Sequence, residues 1–297
     1  MRTRTSEGFS PSTSATTCDT TVRWAKEAAE HDPDGPPPDA PPEDAASEEA
    51  TIAITGGRNI ADNYLGRALG NGQWRDCGAV LFGPVGIRLA AMFDAMWEHA
   101  AGQDLTAPKL TSPELGTFAI MPLGSQPGFL NLLQWAISTM ARAVHREIRI
   151  SCAYFIPTSR LRRALRFLAR HRRACKLIIP LHNDVPMVAA ASRHFLGTLL
   201  KAGVEIYRYA AETLHEKTLI YDGKVTVVGS SNLDQRSFRL NYELSVIVIG
   251  ERFAGPVIKW HDADLLDSER YTLEAWQTRP LWEKVTDWFW SLFRSQL

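Results

Sequence analysis

His215-Glu216-Lys217-Thr218-Leu219-Ile220-Tyr221-Asp222, followed after six residues by Gly229-Ser230-Ser231-Asn232, is the stretch on which the reading of this chain turns. On an extended segment His215 and Lys217 are two residues apart, so an imidazole and an ammonium share one face, separated by about 7 Å of backbone rise. Asp222-Gly223 reads as the turn of a hairpin whose second strand is KVTVVGS. Beyond it Gly229 allows close backbone approach, and Ser230 and Asn232 add neutral hydrogen-bonding groups. A cation, a nucleophile or base, and such groups together suit a phosphate oxyanion.

Working outward, the flanking sequence alternates helix and strand. Amphipathic FLNLLQWAISTMARAVHR precedes strand EIRISCAYFIP, SRLRRALRFLARHRR precedes the apolar strand KLIIPL, and VPMVAAASRHFLGTLLKAG precedes VEIYRYA. This order implies an α/β fold with a largely parallel sheet covered by helices on both faces. Strand YELSVIVIG follows the hairpin, and residues 251–297 read as a helical tail ending in PLWEKVTDWFWSLFRSQL. Upstream, TIAITGG and CGAVLFG read as strands and GPVGIRLAAMFDAMWEHA as a helix. Residues 101–127, rich in proline and glycine, read as a linker.

The 297 residues balance 33 basic against 33 acidic side chains, so net charge names no polyanionic partner. Residues 1–50 hold 4 Lys/Arg, 11 Asp/Glu and 7 of the 17 prolines, a composition that predicts a disordered acidic leader. The remainder is mildly basic. Cys18, Cys77, Cys152 and Cys175 are widely spaced, which disfavours a zinc knot or a disulfide framework. No metal or other cofactor is expected. With no run of 18 apolar residues and no signal-peptide pattern at the start, the expectation is a cytoplasmic protein. The tail places Leu281, Val285, Trp288, Phe289, Leu292 and Phe293 on one helical stripe, which predicts peripheral attachment to a membrane surface.

The pattern H-x-K-x4-D-x6-G-S-x-N resembles the HKD motif of the phospholipase D superfamily. AYFIPTSRLRRAL, LHNDVP, SSNLDQRSFRLNYEL and SERYTLEAWQTRPLW further resemble its bacterial cardiolipin synthases, as do ITGGRNIADNYLG and WRDCGAVLFGP in the first half. The resemblance implies a phospholipase D-like mixed sheet flanked by helices, with a partial first half over 51–100 and a complete second half over 128–250. It implies phosphatidyl transfer through a phosphohistidine, with His215 as nucleophile or general acid/base, Lys217 on the phosphate and Asp222 supporting the geometry. Ser230 and Asn232 would contact phosphate oxygens, Glu243 would hold the imidazole tautomer, and Arg236, Asn241, Gly57 and Asn59 would line the site. Asp76 takes the place in the first half that Glu243 takes in the second.

The family pairs two such motifs, but if Gly56-Gly57-Arg58-Asn59 matches Gly229 to Asn232, the first-motif positions hold Pro42, Asp44 and Glu49. Three readings follow. The chain is a phosphatidyltransferase on phospholipid substrates, a catalytically inactive membrane- or partner-binding fragment, or a phosphodiesterase or nuclease whose homodimer completes the active site. The aromatic tail favours lipid over nucleic acid.

Overall fold

The computed structural model describes residues 52–64, 74–101, 118–128 and 131–297. The acidic leader read over 1–50 lies outside the described residues, as does most of the linker reading.

The architecture is a mixed α/β sandwich. Its centre is an eight-stranded sheet made of β4 (Ala119–Ser125), β5 (Glu147–Cys152), β6 (Ala174–Pro180), β7 (Glu205–Tyr209), β9 (Lys217–Tyr221), β10 (Val225–Gly229), β11 (Glu243–Ile249) and β12 (Ser268–Tyr271). The strand order is β12-β7-β6-β5-β9-β10-β11-β4. Only β5–β6 and β6–β7 are parallel, and the other pairings are antiparallel, so the sheet is mixed rather than largely parallel. The helical crossovers that force parallel pairing occur only between β5, β6 and β7, and hairpins or edge strands supply the rest.

Two segments depart from the sequence reading. Ala119–Ser125, expected within the linker, forms edge strand β4 along β11, with Pro122 opposite Val246. Ser268–Tyr271, inside the tail read as helical, forms the opposite edge along β7. The stretch LHEKTLIYD also breaks. β8 (Thr213–Leu214) ends before His215, and β9 begins at Lys217.

Helices α2 (Leu132–Ala143), α3 (Ser159–Arg170) and α4 (Pro186–Leu200) pack their apolar sides onto the sheet. In α3 the buried residues Leu161, Ala164, Leu165 and Leu168 recur at helical spacing, while Arg160, Arg163 and Arg170 face water. Thr158 caps this helix by accepting from the Leu161 amide at 3.4 Å, and Asn131 caps α2 through the Gln134 amide at 2.8 Å. Ile150, Leu177, Leu219, Val227 and Ile247 meet these helices in one apolar cluster. Complete burial of each such side chain contributes about 1.5–3 kcal/mol before ordering entropy is counted.

The first-half sequence forms β1 (Ile52–Gly56), β2 (Trp74–Arg75), β3 (Gly78–Phe82) and α1 (Val85–Ala101). β1 and β3 make a separate antiparallel pair that touches β10 and β11. β2 instead pairs in parallel with β8, Arg75 opposite Leu214. The remaining helices are α5 (Gln235–Arg239), α6 (Glu251–Leu266), α7 (Leu273–Gln277) and α8 (Leu281–Ser291). No helix among the described residues is long and apolar enough to cross a membrane.

Candidate active site

The β2–β8 bridge delivers the chain to the site. The His215 amide donates to the Arg75 carbonyl at 2.7 Å, so the residue after Arg75 lies beside the imidazole. That residue is Asp76, buried, with Oδ2 2.7 Å from His215 Nδ1 and Oδ1 accepting from the Cys77 amide at 2.7 Å. A carboxylate only accepts, so Nδ1 carries the hydrogen and the Nε2 lone pair faces away. Tyr64 sets its hydroxyl 3.2 Å from Nδ1 and accepts from Asn59 Nδ2 at 3.2 Å. Trp74, Tyr64 and Tyr154 surround the imidazole with ring centroids 5.0, 5.5 and 6.4 Å away.

Lys217 opens β9 and is almost wholly buried. Its Nζ lies 2.8 Å from His215 Nδ1 and 3.0 Å from Nε2, and also contacts the His215 carbonyl. Burial lowers its pKa, although Asp76 and, more weakly, Glu243 favour the charged form. Tyr64 moves the other way, pushed up to about 12 by burial and then by the Asp76 charge. Gly57 closes the site from the first-half side. A Cβ there would stand 3.0 Å from Asp76 Oδ2 and 3.1 Å from Lys217 Cδ, so a larger residue would crowd both groups.

On the second-half side, Gly229 lets β10 press against β11, since a Cβ would come within 2.4 Å of the Leu244 carbonyl. That approach sets Ser230 against Glu243, with Ser230 Oγ donating to Oε2 at 2.5 Å and Asn241 Nδ2 donating to Oε1 at 3.0 Å. Asn232 is buried, and its Oδ1 accepts from the Tyr154 amide at 3.3 Å. Tyr154 in turn donates to Asp184 at 2.7 Å.

The structure brings together His215, Lys217, Gly57 and Asn59, and links Ser230, Asn241 and Glu243 to one another. Two expected roles are corrected. Glu243 is held by Ser230 and Asn241, and the residue on His215 Nδ1 is Asp76. Asp222 sits at the far end of β9, about 16 Å of strand from Lys217. There, at φ 50°, its carboxylate accepts from the amides of His145, Arg146 and Glu147 at 2.7–3.0 Å. Burial raises its pKa, but the three backbone donors outweigh it and the net shift is downward. Asp222 thus clasps the hairpin to the start of β5 and touches no reacting group. Arg236 is exposed on α5, with its amide donating to the Leu297 carbonyl at 3.1 Å. Tyr64 and Trp74 escaped sequence reading because nothing in their local pattern signals a contact 141 or more positions away.

An imidazole with its hydrogen held on Nδ1, a lone pair on Nε2 and an adjacent buried ammonium can attack a phosphodiester and neutralise its charge. The sequence profile described as "Cardiolipin synthase, PLD-like domain" matches residues 137–265, which contain this lysine and histidine. The chain carries a phospholipase D-like domain. Cardiolipin synthase A of Yersinia pseudotuberculosis serotype O:1b (strain IP 31758) is 32% identical over 243 residues, covering 80% of this chain and 50% of that protein. Cardiolipin synthase A of Yersinia pestis matches to the same extent. The chain spans about half the length of these relatives. The phospholipase D-like fold extends to the phosphatidylserine synthase of Haemophilus influenzae Rd KW20, with a TM-score of 0.52 and 15% identity over 68% of this chain and 53% of that one.

Proposed function

We propose that the chain transfers a phosphatidyl group between phospholipids, with His215 as the covalent carrier. His215 Nε2 attacks phosphorus, the N–P bond forms as the P–O bond to the headgroup alcohol breaks, and the departing oxygen takes a proton from solvent water, to which the acceptor returns one in the second step. The hydroxyl of an acceptor phospholipid then attacks phosphorus and gives up its proton as the N–P bond breaks. The observation that carries this reading is the placement of His215 against both the Asp76 carboxylate, 2.7 Å from Nδ1, and the Lys217 ammonium, within 3.0 Å of both ring nitrogens. Asp76 stabilises the imidazolium-like transition state, and Lys217, on the side of the attacking nitrogen, offsets charge on the non-bridging phosphoryl oxygens. Ser230 and Asn232 are proposed to meet the remaining oxygens. The similarity to cardiolipin synthases supports phosphatidylglycerol as acceptor, and a peripheral membrane location goes with such a substrate.

A second reading, an inactive binding fragment, is favoured by Pro42, Asp44 and Glu49 at the positions where a second motif would stand. A homodimer supplying another His215 would have to pass Gly57 and Asp76, which occupy one side of the site. Incubation with phosphatidylglycerol vesicles decides between these readings. Cardiolipin formation, lost in His215→Ala along with an acid-labile phosphoenzyme, supports transfer. Absence of product with a folded protein supports the inactive fragment, and activity rising with the square of concentration supports the dimer.

A further inference from the structure

Helix α8 is mounted inside out. Its buried face is polar: Asp287 is 1% exposed, bonded to Arg193 of α4 at 2.9 Å and to Arg279 at 3.2 Å. Trp290 is the aromatic that turns inward, against the cluster of Ile156, Val188, Ala191 and Phe195. The opposite face carries Leu281, Val285, Trp288 and Phe289, continued by Leu292 and Phe293 in the turn just past its end, each 44–76% exposed. Ordinary surface helices present the reverse arrangement, and a contiguous apolar stripe of this length on the outside marks a contact surface.

Two further features say what it contacts. Arg162 of α3 stacks over Phe195 at 5.1 Å, and its pKa is lowered first by burial and then by the guanidiniums of Arg166, Arg294 and Arg163. Four like charges therefore crowd together where α3 meets the end of the tail, and such a group is relieved by an anionic layer. The cluster that seats Trp290 and Leu297 also includes Tyr154, whose ring faces His215. The inward side of α8 is thus connected through Trp290 and Tyr154 to the surroundings of His215.

We propose that the outer face of α8, together with Arg163 and Arg294, is a docking surface for an anionic phospholipid bilayer that presents lipid to His215. This rests on the phosphatidyl-transfer reading for its purpose but not for its binding. Aromatic side chains enter the headgroup boundary, and the guanidiniums meet lipid phosphates at its surface.

The full chain is mixed with vesicles of phosphatidylcholine alone or with equal phosphatidylglycerol, and bound protein is sedimented. Binding to the anionic vesicles should be stronger and should fall as salt rises. Trp288→Ser with Phe289→Ser and Leu292→Ser should weaken it about tenfold or more. Arg163→Gln with Arg294→Gln should remove the anionic preference while leaving residual binding. Should the triple variant fail to fold, quenching by brominated lipid is compared between the wild type and Trp288→Phe, and loss of quenching in the latter supports the proposal. Equal sedimentation of wild type and triple variant would overturn it, as would no sedimentation at all. Self-association without vesicles, abolished by the triple variant, would assign the face to a second copy and also overturn it. Turnover on detergent-dispersed phosphatidylglycerol separates the two readings: vesicle binding without turnover refutes transfer alone, and turnover without vesicle binding refutes docking alone.

Discussion

Asp76 Oδ2 and His215 Nδ1 stand 2.7 Å apart although 139 positions separate the two residues. The pair joins a strand of the first-half sequence to the segment that opens β9, and it makes the imidazole one tautomer. Asp76→Asn keeps the shape and removes the acceptor charge, so the wrong tautomer becomes accessible. The expected loss in kcat is about a thousandfold or more, by analogy with histidine–carboxylate pairs elsewhere. Steady-state kinetics beside an unchanged circular dichroism spectrum would check it.

Lys217 should set an alkaline limit on activity. Burial lowers its pKa below the ordinary 10.5, so the ammonium is lost at lower pH than for a surface lysine. The kcat/KM profile should therefore fall earlier on its alkaline side. Lys217→Arg should move that limb upward, because a guanidinium keeps its charge, while lowering the maximum through altered geometry.

Asp222 should matter to stability and little to chemistry. Its native pKa lies below the unfolded carboxylate value of about 3.9, so its contribution is present above that value and is lost as pH falls through the native one. Asp222→Asn should lower the midpoint of urea unfolding at pH 7 and matter progressively less as pH falls below the ordinary carboxylate value. Folded Asp222→Asn protein should retain its turnover.

His261 on α6 works in the opposite chemical sense. Burial, then Arg149, lowers its pKa to about 4, with Lys176 adding and Asp262 opposing. It is neutral when folded and charges on unfolding below about 6.5, so the stability it permits above that pH declines as pH falls from 6.5 toward 4. His261→Leu should flatten the change of Tm between pH 7 and pH 5, read by differential scanning calorimetry.

The HKD stretch was legible because His215 and Lys217 converge through local chain geometry, and the Asp222-Gly223 turn follows from local residue types. The partner of His215 was not. Asp76 reads only as the first-half counterpart of Glu243, and the β2–β8 bridge decides which carboxylate reaches the imidazole. β4 was hidden by Pro122, which a central strand would exclude but an edge strand tolerates. The mixed sheet agrees with what the family resemblance implied, whereas helix–strand alternation alone pointed to a largely parallel one because it covers only β5 to β7 and hairpin pairing takes over at β9. The apolar stripe of α8 was visible as a pattern, whereas its outward orientation depends on Arg193 and Arg279 reaching Asp287.

The two-stranded unit of β1 and β3, with Ile52, Ile54 and Phe82 exposed, holds much less buried apolar surface than the eight-stranded sheet. Gly57 at its end and Asp76 just before β3 nevertheless complete the cluster around His215 that is proposed to be catalytic. Units of this kind open sub-globally, at a free-energy cost well below that of the whole fold. Catalytic competence should therefore be lost in a first, low-denaturant step that leaves the amides of β9 and β10 protected from hydrogen exchange. The lysine opens a strand of the central sheet with the histidine just before it, whereas their partner carboxylate belongs to the piece that buries the least apolar surface.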